Sequence, residues 1–221
     1  MNGFENDMAH TLSGVMLLMS FLLLYQRRIP GLIHAFAIQA ALLGIAVSWQ
    51  AVMQGEPHLF ITALIVLLFK AAFIPIALLK LIQRLSVPQA VEPVMAIGRT
   101  MLFGIILCGL SLAVMQSSPQ ASALIVNEKL AMALAIVLLG FLIMIARQNA
   151  VAQVIGFMSI ENGLVLAAVE AKGMPLIVEI SVAFSVLVAL AVFGLFMFHI
   201  KDRFDTLDTA SLENVRGEEL P

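Results

Sequence analysis

Charge is scarce in this chain. Only 12% of its 221 residues are Asp, Glu, Lys or Arg, roughly half the share of a soluble domain. Cysteine is scarcer still: the single thiol, Cys108, excludes an internal disulfide and cannot by itself ligate an iron–sulfur cluster. It reads as a small apolar packing residue, and any redox chemistry is expected in another subunit. One Trp and one Tyr leave little from which to build an aromatic ligand pocket, which counts against a free-standing transporter or a retinal-type receptor. No His/Cys/Asp/Glu spacing suggests a metal site, no glycine-rich phosphate loop occurs, and no nucleophile–base pair can be defended. The expected inventory is no catalytic residue, no cofactor or metal in this chain and no nucleic-acid partner.

What the chain has is hydrocarbon. It is 62% hydrophobic, with mean hydropathy +1.05, and the apolar residues gather into runs of roughly 17 to 25, each long enough to cross ~30 Å of hydrocarbon as a helix. The expected fold is all-α, a polytopic membrane protein of about seven transmembrane helices. They read as 9–25, 30–53, 58–82, 95–116, 121–146, 150–171 and 175–200, one bundle over 1–200, with 201–221 a polar tail. Arg27, Arg28 and Pro30 separate the first two helices, and Gln54 to Pro57 the next two. Arg84 to Pro93 form the longest internal loop, Ser117 to Gln120 a turn, Arg147 to Asn149 a break, and Lys172 to Pro175 the last one. The opening segment carries Glu5 and Asp7 where a secretory signal has basic residues, so the first run is expected to remain as a helix.

Loops after helices one, three and five, with the tail, hold Arg27, Arg28, Lys80, Arg84, Arg99, Arg147, Lys201, Arg203 and Arg216, against Lys129 and Lys172 on the other side. That bias predicts an outside N-terminus and a cytoplasmic C-terminus, in agreement with an odd number of helices, which places the termini on opposite sides. A weak internal echo is also present. YQRRIPGLIHAFAIQAALLG and ARQNAVAQVIGFMSIENGLV each run helix, short basic break, then a helix with one polar residue near its middle, Gln39 and Glu161. This suggests two similarly oriented triplets joined by one helix.

Two ionisable residues lie deep in the apolar runs. Lys70 falls about halfway along HLFITALIVLLFKAAFIPIALL, and Glu161 interrupts VAQVIGFMSIENGLVLAAV together with Gln153, Ser159 and Asn162. At ~1.5 Å rise per residue, Glu161 lies roughly 17 Å from a start near residue 150. A charge at the bilayer centre costs on the order of 3 kcal/mol even on lenient scales, so such residues usually face a protein interior or an ion path. Desolvation disfavours each charged form and an opposite charge favours it, so a Lys–Glu pair can exchange a proton. The plainer alternatives are a structural, hydrogen-bonded Glu and a lysine reaching the interface, although from the midplane its stem is too short. Pro75, five residues after Lys70, lacks an N–H, and its ring collides with the Ala71 carbonyl, so the helix is expected to bend or open there.

Other polar residues are weaker candidates. Glu179 lies about one turn into the last helix, followed on one face by Ser181 and Ser185. It reads equally as the mouth of a polar path or as an interfacial acid. His199, near Lys201 and Arg203, favours an interfacial reading over a ligand. Glu128 and Lys129 open the fifth helix, where a solvated helix end is the plainer reading, and Lys80 and Arg84 read as anchors at the membrane surface.

ARQNAVAQVIGFMSIENG, LIVEISVAFSVLVALAVFGLFMFHI and DTLDTASLENVRG together resemble the membrane component E family of hydrogenase-4 and formate hydrogenlyase complexes. LLFKAAFIP, with Lys70 and Pro75, resembles that family's third helix. The last three helices, 121–200, are similar at greater distance to the K subunit of bacterial complex I and of multisubunit cation/proton antiporters. That subunit has glutamates on its second and third helices, in a membrane-plane chain of proton-transferring groups. Glu161 falls within a turn of the first position, whereas the second is Ser185 here, which cannot titrate.

The resemblance implies a non-catalytic membrane subunit of a complex I-related nickel–iron hydrogenase in the inner (plasma) membrane of a bacterial or archaeal cell. Its implied partners are antiporter-like membrane subunits, a membrane subunit like that of the quinone site, and hydrogenase and iron–sulfur subunits in the cytoplasmic arm. The ion path it implies runs through Lys70, Glu161, Glu179 and Ser185, with Glu128, Lys129, Asn162 and His199 as accessory residues. The competing reading is a purely structural anchor or assembly subunit of the same complex.

Overall fold

The computed structural model describes residues 2–85, 95–117 and 124–170. All fall within the first of two units, Met1–Ser185, the second being Val186–Pro221. The helices are α1 (Asn2–Tyr25), α2 (Ile29–Gln54), α3 (Pro57–Ile65), a π-helical segment (Val66–Phe73), α4 (Ile74–Leu85), α5 (Ile97–Gln116), α6 (Leu124–Ala146) and α7 (Ala150–Glu170). Among the described residues no strand occurs, and six spans are long and apolar enough to cross a membrane. The protein is an all-α, multi-pass membrane protein. The predicted helix 175–200 and the tail 201–221 lie outside the described residues, as do loop residues 86–94 and most of the turn at 117–120.

Helix ends follow local chemistry. Arg28 is extended and Pro30 occupies the first turn of α2, where a missing N–H removes no hydrogen bond. The same helix stops at Gly55, whose φ of 69° lets its N–H reach the Ala51 carbonyl at 3.1 Å; only glycine takes that left-handed turn without strain. Pro57 opens α3 after an extended Glu56. Asn149 caps α7, its Oδ1 accepting the N–H groups of Val151 at 2.9 Å and Ala152 at 3.4 Å. One boundary differs from the sequence reading: α1 begins at Asn2, not near residue 9, because nothing in GFENDMA breaks a helix.

Packing sets the site. Helix α2 lies against α1, α3, the π segment and α7, while α6 lies against α1, α5 and, most extensively, α7. The α6–α7 contact is close because it is lined with glycine: a Cβ on Gly156 would come within 3.0 Å of the Gly140 carbonyl oxygen, and one on Gly163 within 2.9 Å of that of Ala133. Small residues let membrane helices approach backbone to backbone. A cluster including Leu43, Val47, Leu59, Val66, Ile136 and Leu166 fills the space between α2, α3, α6 and α7. Outward-facing Leu102, Ile105, Ile106 and Leu110 of α5 are half or more exposed, as expected where lipid replaces water as solvent.

Candidate functional site

The helix carrying Lys70 is irregular where the lysine sits. In place of a break at Pro75, the chain winds through a π-helical segment over Val66–Phe73, and the Ile74 N–H bonds the Phe69 carbonyl five residues back. Pro75 then falls in the first turn of α4, where its missing donor costs little. The wide turns replace the i−4 register that the proline ring would obstruct. The irregularity expected near Ala71 is present, in the form of a widened helix.

Within this segment Lys70 is buried, 1% exposed, and Glu161 of α7 is 4% exposed. Lys70 Nζ lies 3.1 Å from Glu161 Oε1 and donates to Asn162 Oδ1, also at 3.1 Å. Asn162 Nδ2 donates to Gln39 Oε1 at 3.3 Å. Gln39 Nε2 in turn donates to Ser20 Oγ at 2.7 Å and Ser159 Oγ at 3.1 Å, and Ser20 Oγ to the Met16 carbonyl at 3.1 Å. One buried network thus joins α1, α2, the π segment and α7. Neither ionisable group is exposed at the protein surface. The arrangement follows from α7's two faces. Gly156 and Gly163 recur every seven residues on the side against α6, and ~100° per residue places Glu161 and Asn162 on other sides, toward Lys70 and α2.

The chemistry divides within the network. Lys70 and Glu161 are the ionisable members, with Nζ and Oε1 3.1 Å apart, so transfer of one proton across that contact would turn an ion pair into a neutral pair without leaving the site. Asn162 and Gln39 are amides that carry no charge: Asn162 accepts one of the lysine's donors and is itself held by Gln39.

A second ion pair lies toward one end of the bundle. Lys129 Nζ is 3.3 Å from Glu170 Oε2, both side chains being buried. This corrects the reading of Lys129 as a solvated helix end. Glu170 shares the glycine face of α7, and the close approach of α6 brings it onto the lysine. Glu128 is exposed, its Oε2 3.3 Å from His10 Nε2. Gln54 Nε2 donates to the Val169 carbonyl at 3.1 Å, tying the end of α2 beside Glu170. Glu161 and Glu170 are nine residues apart, ~13.5 Å along α7, with apolar Val165 and Leu166 between them. Glu179, Ser185 and His199 lie outside the described residues.

Sequence reasoning passed over Glu170 and gave Ser20 and Ser159 no role. Gln39 stood out only as the one polar residue near the middle of the second run. For each, the signal was a polar residue at helical spacing inside a hydrophobic stretch.

Among the described residues, six membrane-length helices and a buried Lys–Glu pair define a multi-pass helical membrane protein with ionisable residues in its interior. Over 206 residues the chain is 24% identical to "Uncharacterized protein Rv0085" of Mycobacterium tuberculosis, an alignment covering 92% of this chain and 94% of that protein. No protein-family profile matches the chain, and no solved structure matches it.

Proposed function

We propose that this chain is a non-catalytic membrane subunit of a complex I-related nickel–iron hydrogenase of the hydrogenase-4 type, in a bacterial or archaeal inner membrane, where Lys70 and Glu161 hand on a proton or cation. The observation that carries this reading is the Lys70–Glu161 contact of 3.1 Å, enclosed at mid-depth. Buried intramembrane ionisable pairs mark ion or proton pathways by default, and the motif resemblance supplies the kind of complex. Antiporter-like and quinone-site-like membrane subunits deliver and remove the ion, while soluble subunits hold the nickel–iron site and the iron–sulfur clusters; this chain holds no cofactor. The N-terminus lies outside and the C-terminus in the cytoplasm. Glu161→Gln and Lys70→Ala are expected to abolish redox-coupled ion movement in membrane vesicles while the complex still assembles on a blue-native gel. Unimpaired coupled movement in both variants would reject the proposal.

A second reading, a structural anchor, is favoured by the interhelical contacts of Lys70 with Glu161 and Asn162, which a packing device also needs. It predicts that the same variants lose the assembled complex.

A further inference from the structure

Four helix ends meet at one end of the bundle: the C-termini of α1 and α6 and the N-termini of α2 and α7. Three arginines lie there, Arg27 and Arg28 in one connection and Arg147 in the other. Arg147 is tied to the last turn of α1, its Nη2 donating to the Leu24 carbonyl at 2.6 Å. No carboxylate among the described residues answers these charges. Glu5, Asp7, Glu56, Glu128 and Glu170 lie at the opposite end, and Glu161 at mid-depth. Helix α2 starts beside the arginines without a side-chain cap, adding a positive dipole end.

Arg147 is the unusual member. It is 2% exposed, and its Nη1 is buried with no hydrogen-bond acceptor. A guanidinium has five donors and no acceptor, so a buried amino group left unmet is costly. Burial, and then the like charge of Arg27, push this guanidinium down from its ordinary value. Among the described residues, the cluster lacks an anion.

The position selects the anion's chemistry. The apolar spans of α1 and α6 end at Tyr25 and Ala146, so the three arginines begin where headgroups begin. Immediately on the hydrocarbon side, Tyr25 is 57% and Ile145 68% exposed. Positive charge above bare apolar surface fits an amphiphile better than a free ion. We infer that Arg27, Arg28 and Arg147 bind the phosphodiester of an anionic phospholipid whose acyl chains run along the exposed sides of α1 and α6.

The full chain, purified in detergent, is titrated with phosphatidylglycerol, phosphatidylcholine or inorganic phosphate and followed by native mass spectrometry and thermal unfolding. Phosphatidylglycerol is expected to give a persistent adduct and raise the unfolding temperature, and the other two are not. Arg27→Gln with Arg28→Gln, both at exposed positions, is expected to weaken the lipid about 30-fold, each basic residue near anionic headgroups counting for roughly fivefold. Arg147→Lys keeps the charge but loses the planar fork, and is expected to weaken it with the fold intact. Equal stabilisation by phosphatidylcholine overturns the site, as does unchanged affinity in the double variant. Phosphate matching the lipid would assign the site to a soluble anion, and binding of none of the three would assign it to a protein carboxylate; either result overturns the lipid.

Discussion

Lys70 and Glu161 are tolerable in hydrocarbon only because each supplies the other's counter-charge at 3.1 Å. Removing one partner strands the other, which for buried pairs costs about 3–5 kcal/mol, whereas replacing both with apolar residues is often close to neutral. Lys70→Met alone is therefore expected to destabilise the chain by about that amount, and Lys70→Met with Glu161→Leu to recover most of it. Thermal unfolding of the full chain in detergent measures both. Additive losses would mean that the two charges do not depend on each other. Asn162 refines this picture, since it accepts from Lys70 and is in turn held by Gln39, and neither amide is ionisable.

At the scale of elements, two departures from a plain α-helical bundle place that pair. One is the π segment, Val66–Phe73, which carries Lys70 and hands the chain to α4 just ahead of Pro75. The other is the glycine seam, which draws α6 and α7 together and so fixes the rotation of α7. At Gly163 an added Cβ would lie 2.9 Å from a backbone carbonyl oxygen, whereas at Gly109 nothing lies within 4 Å. Gly163→Ala is expected to cost about 1–3 kcal/mol, the range for overpacking. Gly109→Ala is expected to cost nothing, or to stabilise slightly through helix propensity. Equal unfolding temperatures for the two variants would remove the seam from this account.

Across the whole molecule, the sequence echo acquires a physical counterpart. The hairpins α1–α2 and α6–α7 turn at the same end and pack side by side, α1 on α6 and α2 on α7. Gln39 and Glu161, matched in the echo, enter one network through Asn162 and Lys70. Orientation in the membrane is testable directly. In a Cys108→Ser background, Glu56→Cys is expected to react with a membrane-impermeant maleimide in intact cells, and Gln148→Cys only after permeabilisation. The reverse pattern would invert the charge-bias assignment.

The spans were legible from sequence because hydropathy is local: runs of apolar residues count off membrane thickness, and Arg, Pro and Gly mark where they stop. Depth was legible for the same reason, since a fixed rise per residue puts Lys70 and Glu161 mid-span whatever surrounds them. Partnership was not. Which residue faces which depends on rotation about each helix and on its neighbours. The wide turns around Lys70 and the glycine seam change both without changing hydropathy. Lys129 shows the limit most clearly. Its place at a helix start suggested contact with water, and only the approach of α7, carrying Glu170, makes it a buried cation. The chain by itself determined that charges sit mid-span at Lys70 and Glu161, and how deep along each helix they lie. Tertiary packing alone decided which of them meet, because depth is a distance along one helix and contact requires two.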